Sequence, residues 1–334
     1  MTIDELRSTL ARVPDPGPLP PIPDDLLDAS ARYLGSDAAI RSLDADTYWP
    51  KWGSPWWHML MLFECDEARR IPPGIVDLMV HRLNALPLHI LPIHPEESPP
   101  GTDPCRDSSC HCALGTIHQV LTACGVDVAT ALPWVEPWFA RYQMADGGLN
   151  CDTTAYLADE CASSMVATIA PFEAMLARPP SAFADRAAAF LIERRLMNGS
   201  PSQHNAEERD AAASWLLPCF PRFYFYDVLR GLTALVRWAT AHDRALPVDA
   251  LAGAVEHLAA AFPDGVVRLQ RRSFEGVPTM ARIDGAWQRG QPASLFPLLE
   301  ATSAKGSACP VLTRQWTAAR RALGELLDAG RITR

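Results

Sequence analysis

No apolar run in this 334-residue chain approaches the roughly eighteen residues that a spanning helix requires, so no transmembrane segment is expected. An excess of basic charge is also lacking. Lys plus Arg number 30 against 39 Asp plus Glu, a net charge of −9, which removes the footprint that a phosphate backbone needs. Nucleic acid is therefore not an expected partner. The start, Met-Thr-Ile-Asp-Glu-Leu-Arg, does not run from basic to apolar as a secretory signal does, and the expected location is the cytoplasm. There is no Gly-rich phosphate loop, nucleophilic serine elbow or paired-histidine metalloprotease sequence, so nucleotide-driven chemistry and the standard hydrolases have no support. Strict apolar–polar alternation is scarce, which argues against sheet.

What the chain does carry is helical periodicity, proline and cysteine. Apolar residues recur at three and four, as in Val76, Met79, Val80 and Leu83, or Leu229, Leu232, Leu235 and Val236, which predicts an all-α fold. The 30 prolines, about twice the usual share, fall mostly between apolar stretches and punctuate helices. Short helices are expected over 24–34 and 37–43. Pairs follow at 54–66 with 73–86, 112–125 with 132–144, 162–177 with 182–196 and 223–241 with 247–261, then a last helix near 309–328, giving five or six hairpins. Residues 13–23, rich in proline, read as an extended arm that wraps the body. Residues 1–48 are assigned to this arm and its short helices, and 49–334 to one helical domain. Asp146-Gly147-Gly148 and Asp264-Gly265 each follow a long apolar helix, where glycine supplies a left-handed stop.

The segment from Cys112-Ala-Leu-Gly115 to Asp146-Gly-Gly-Leu-Asn-Cys151, and later Phe220-Pro-Arg-Phe-Tyr-Phe-Tyr-Asp-Val-Leu-Arg-Gly-Leu232, resembles the repeat of squalene-cyclase-like and protein-prenyltransferase β-subunit-like proteins. The likeness covers about residues 54–330. It implies an α/α toroid, with parallel inner helices around a central funnel, antiparallel outer helices, and an apolar or prenyl-like substrate. Leu157-Ala-Asp159-Glu-Cys161-Ala-Ser resembles the Asp-x-Cys segment by which prenyltransferase β subunits hold zinc, with Asp159 and Cys161 on the two ligand positions. The family's third ligand, a histidine beside tyrosine, is unmatched, since Tyr224-Phe-Tyr226-Asp227 stands there. The Asp-x-Asp-Asp proton donor of squalene–hopene cyclases is absent too.

Parallel inner helices would bring their N-termini to one rim, and polar or reactive residues stand at those starts: His58, Cys110-His111-Cys112, Asp159, Cys161, Tyr226, Asp227 and Cys309. A thiol there feels the positive end of the helix dipole, which favours the thiolate that binds metal or attacks an electrophile. Nine cysteines, an odd number without an export signal, read as free thiols or metal ligands before they read as a disulfide frame. Zinc is the expected metal, with Asp159 and Cys161 the first choice of ligands and Cys112 and Cys151 the next. Cys105-x4-Cys110-x-Cys112 also has local metal-site character, without the spacing of a known finger. Asp227, Tyr226 and Cys161 are the candidate catalytic groups. Trp56, Trp57, His58, Tyr224 and Arg222 are the candidate substrate contacts, the aromatic residues forming a wall suited to an apolar or cationic ligand and Arg222 able to hold an anionic group such as a diphosphate. Two other readings stand beside this one: a metal-free pocket working by acid or base chemistry at Asp227, and a non-catalytic toroid that binds a small molecule. A homodimer or a pathway partner is compatible with all three.

Overall fold

Capping chemistry sets most of the helix starts. In α1 (Ile3–Arg12) the Thr2 hydroxyl accepts from the Glu5 N–H while the Glu5 carboxylate accepts from the Thr2 N–H, a closed capping box. Next come α2 (Asp24–Leu34) and α3 (Asp37–Ala45), the latter capped by Ser36. Proline at the first turn opens α4 (Pro55–Glu64) and α5 (Pro73–Asn84), where its missing N–H is one the helix would leave unpaired anyway. After the short α6 (Pro104–Asp107) come α7 (His111–Ala123), the short α8 (Val128–Ala131) and α9 (Val135–Tyr142). Ser164 and Ser181 cap α10 (Met165–Met175) and α11 (Ala182–Glu193). The rest are α12 (Ala206–Trp215), α13 (Val228–Ala241) capped by Asp227, α14 (Val248–Ala261), α15 (Pro297–Thr302) and α16 (Pro310–Asp328).

This computed structural model describes residues 1–334 and is mostly helical, as the periodicity predicts. No helix is long and apolar enough to cross a membrane. Two small sheets depart from the all-α expectation. Leu246–Pro247 (β1) pairs in parallel with Ile332–Thr333 (β4), and Thr279–Ile283 (β2) with Ala286–Gln291 (β3) form an antiparallel hairpin. The hairpin turns on Asp284 and Gly285, both at positive φ, the geometry an Asp-Gly pair provides.

The packing follows the chain. Helix α4 packs on α7, α7 on α10, α10 on α13 and α13 on α16, while α9, α11 and α14 each lie against the helix they follow or adjoin. Contact is most extensive between α7 and α10, and Gly115 is the reason. A Cβ there would fall 2.3 Å from the Pro171 nitrogen, so only glycine allows the two backbones to meet. Gly147 and Gly265 take the positive φ expected of them. Helix α1, unanticipated in the sequence, packs Leu6 and Leu10 against α14 and α16. The Pro-rich arm then crosses α16, where the buried Arg320 guanidinium donates to the Val13 and Pro14 carbonyls and pairs with Asp15 at 3.0 Å.

Candidate metal centre

The N-terminus of α7 and the loop after Gly147-Gly148 meet at three thiols. Cys110 is the N-cap of α7 in extended backbone, and Cys112 sits in the first turn, so a two-residue spacing delivers both sulfurs to the same helix end. Their Sγ atoms are 3.3 Å apart, well beyond the length of a disulfide. Cys151 completes a group whose three sulfurs all lie within 4.8 Å of one another. Tetrahedral zinc with Zn–S bonds near 2.3 Å places sulfurs about 3.8 Å apart, so the trio needs little movement to take a metal. No fourth His, Cys, Asp or Glu joins the three. Among the thiols, Cys110 is held well below its usual pKa by hydrogen bonds from Cys112 and Cys151, while those two are raised, first by their hydrogen bonds to Cys110 and then by burial. The group thus favours one thiolate cradled by two thiols.

A buried network fixes the position of Cys151. Trp138 Nε1 donates to His111 Nδ1 at 2.8 Å, which leaves the proton on Nε2 to be donated to the Tyr156 hydroxyl at 3.0 Å. That hydroxyl in turn donates to the Asn150 carbonyl and accepts from the Asn150 N–H, both at 3.1 Å. Burial lowers His111 to about 4 and keeps it neutral. Both of its nitrogens are occupied, so His111 orders the thiol loop rather than adding a ligand.

Beside the trio is a cavity of about 380 Å³ whose walls include Tyr48, Trp49, Lys51, Ile117, Cys110 and Cys151. The turn that carries Tyr48 to Lys51 is built by Asp46, whose buried carboxylate accepts from the N–H groups of Tyr48 and Trp49 and from Arg106 Nε, each at 2.9 Å. Lys51 Nζ donates to the Tyr224 hydroxyl at 3.0 Å. Burial raises both Tyr48 and Tyr224 well above the usual phenol range, so both remain protonated. Burial also lowers Lys51, opposed by the nearby Cys112 and Cys110.

Of the residues singled out in the sequence, Cys112, Cys151 and Tyr224 come together here. Trp57 stands one layer behind, edge-on to Tyr48 and donating to its carbonyl at 3.0 Å. The others lie elsewhere. Asp159 is exposed and Cys161 half-buried in irregular chain four residues ahead of α10, not at a helix start, and neither joins the sulfur trio. Cys161 has only Ser163 as a partner, at 3.8 Å. Trp56 is core. His58 is stacked on Phe296 at 3.7 Å, bonded to Ser30 and lowered to about 3 by burial, a neutral packing residue.

Asp227 is fully buried and fully engaged. It caps α13 through the Arg230 N–H at 2.8 Å and pairs with Arg222 Nε at 2.8 Å, which leaves no free edge for acid or base work. Tyr226 is locked too. Its hydroxyl donates to the Leu196 carbonyl at 2.8 Å, and its ring lies where a Cβ on Gly231 would stand. Arg222 faces a different space, a cavity of about 370 Å³ lined also by Glu64, Gln119, Glu173, Arg230 and Gln315. The expected single rim is thus divided between two regions, and the space among α4, α7, α10, α13 and α16 has a polar rather than an aromatic wall.

Lys51 and Asp46 escaped the sequence reading, and Cys110 was ranked below Cys161. For Cys110 the signal was present in the Cys-x-Cys spacing at a helix start. For Lys51 it was the lone cation within Tyr48-Trp-Pro-Lys-Trp52. Compared with known protein families, curated proteins and solved structures, the chain matches none.

Proposed function

We propose that this chain is an α/α-toroid enzyme in which Cys110, Cys112 and Cys151 hold a zinc ion, acting on a small or medium-sized apolar or electrophilic substrate. The observation that carries the reading is the meeting of three thiols at a helix N-terminus beside a cavity, with no fourth protein donor in the group. Three protein ligands and one open position are the arrangement of catalytic rather than structural zinc, and the metal there would act as a Lewis acid or activate a bound nucleophile. The aromatic walls given by Tyr48 and Trp49 suit an apolar portion of the substrate. The toroid rests on the succession of α4, α7, α10, α13 and α16, each packed on the next, which is the order that inner helices of such a fold would have. A cytoplasmic location suits nine unpaired cysteines.

Metal content measured by elemental mass spectrometry tests the reading, on protein purified without chelator or metal-affinity tag. Wild type should carry about one zinc per chain. Cys110→Ser should lose it, and Cys161→Ser should keep it. Metal-free wild type would sink the proposal, and loss in the Cys161 variant alone would return the site to Asp159 and Cys161.

A further inference from the structure

Zinc bound by three thiolates has a net charge of −1, and a buried charge is costly unless a counter-charge stands near it. The cations around the trio can be sorted by what they already do. His111 accepts from Trp138 Nε1 at its Nδ1 and meets the Tyr156 hydroxyl through its Nε2, so both ring nitrogens are used and the ring carries a single proton. Arg106 is paired with Asp46 at 2.9 Å and lies 4.5 Å over the Trp287 ring. Lys51 remains. Its ammonium has three N–H groups, and its one side-chain hydrogen bond goes to a neutral phenol, Tyr224.

The placement of Lys51 is unusual for this chain. It is one of two lysines among 30 basic residues, and the other, Lys305, is at the surface with Glu275. Four rings surround the Lys51 ammonium, those of Trp49 at 5.2 Å, Tyr224 at 5.1 Å, Trp52 at 5.7 Å and Tyr48 at 5.8 Å. Such a cage holds a compact cation away from water without neutralising it. The Lys51 backbone N–H is bonded to Thr279 Oγ1 at 2.6 Å, which pins the turn from the opposite side. Lys51 shares the cavity wall with Cys110 and Cys151.

We propose that Lys51 is the counter-cation of the metal–thiolate centre, a positioning residue held by an aromatic cage so that its charge faces the sulfurs. This rests on the metal-binding reading above but can fail separately from it. The experiment is zinc affinity by competition with a chromophoric chelator, using the full chain as wild type, Lys51→Met and Lys51→Arg. Thermal melting of each metal-free protein serves as the folding control. Lys51→Met should bind zinc about tenfold more weakly or worse, with metal-free melting unchanged, since outer-shell partners of metal ligands typically matter by that factor. Lys51→Arg, which keeps the charge, should bind at least about threefold tighter than the Met variant. Cobalt-loaded Lys51→Met at saturation should retain the thiolate charge-transfer bands, placing the loss in affinity rather than in the ligand set. Equal affinity of wild type and Lys51→Met would overturn the proposal while leaving the metal site standing. Equal weakness of the Met and Arg variants, with melting unchanged, would overturn it as well, since charge would not be what matters. A wild type that binds no zinc overturns both.

Discussion

Two cavities of this protein are rich in ionisable groups, and they differ in what those groups have left to give. In the cavity among α4, α7, α10, α13 and α16, Arg230 donates to both Glu173 oxygens, Arg222 is paired with Asp227 and bonded to Gln315, and Glu64 accepts two backbone N–H groups. Most of the charge there has its partner within the protein, the exceptions being Arg237 and the Arg222 Nη2, which is buried without a hydrogen bond. At the N-terminus of α7 the thiols have chiefly one another, and Lys51 has a single phenol. Satisfied buried charge is what a fold uses to fix its own helices. Donor capacity held ready beside an empty space is what a site needs, so the second cavity is the better functional candidate although the first contains more charge.

The largest effect expected from this contrast is on stability, at the satisfied cavity. Asp227→Ala would remove a helix cap and leave the Arg222 guanidinium buried without its carboxylate. Breaking a buried pair from one side costs about 3–5 kcal/mol, which should appear as a large drop in the urea midpoint. A loss below about 1 kcal/mol would mean that Asp227 is not the structural group described here and would reopen its catalytic reading.

A smaller effect is expected in the pH dependence of stability, through Glu64. Burial raises its carboxyl from 4.5 to about 7, against the pull of Arg230, Arg222 and two backbone N–H groups. The folded state therefore binds more protons than the unfolded state between those values. Its stabilising contribution is complete below about pH 4.5 and is lost as pH rises through about 7, a change of order 1–3 kcal/mol. Denaturant titrations across this window should show stability falling with rising pH in wild type, and Glu64→Gln should flatten that slope. An unchanged slope in the variant would show that the carboxylate is already ionised and paired, which would make the first cavity still more completely satisfied.

The sequence displayed the helices far better than the site, and the reasons are physical. Helical pairs announce themselves through periodic apolar residues and through local signals, starts at Pro73 and Pro310 and a stop at Gly147, all of which act within a turn or two. Helix α1 was missed although Leu6 and Leu10 carry the period, because the prolines that follow draw attention to extended chain. The β2–β3 hairpin was missed although Asp284-Gly285 is its natural turn, since its strands are largely exposed and lack an alternating apolar face. Cys112 and Cys151 were found because helix starts and Gly-Gly turns could be placed. Asp159 and Cys161 were preferred through resemblance to a metal-binding segment, but here that segment precedes its helix by several residues and neither residue joins the trio. Lys51 could not be ranked from sequence, because its meaning depends on Tyr224, Thr279 and Cys151, which are distant in the chain.

The smallest effect is the one that most directly tests whether the thiols are there for packing or for a ligand. A buried cysteine that only fills space behaves as a small hydrophobe, and its removal is felt in the fold itself. Cys151 lies on a loop whose position is set by neighbours, through Asn150, Tyr156 and His111, so its own side chain contributes little to holding that loop. Cys151→Ser should therefore change the stability of the metal-free protein by no more than about 0.5 kcal/mol, measured by urea unfolding in the presence of chelator. The same substitution should remove most of the extra stability that added zinc confers on wild type, because a ligand that binds only the folded state stabilises it in proportion to its affinity. A loss above about 2 kcal/mol without metal would place the trio with the satisfied cavity, as structure rather than site.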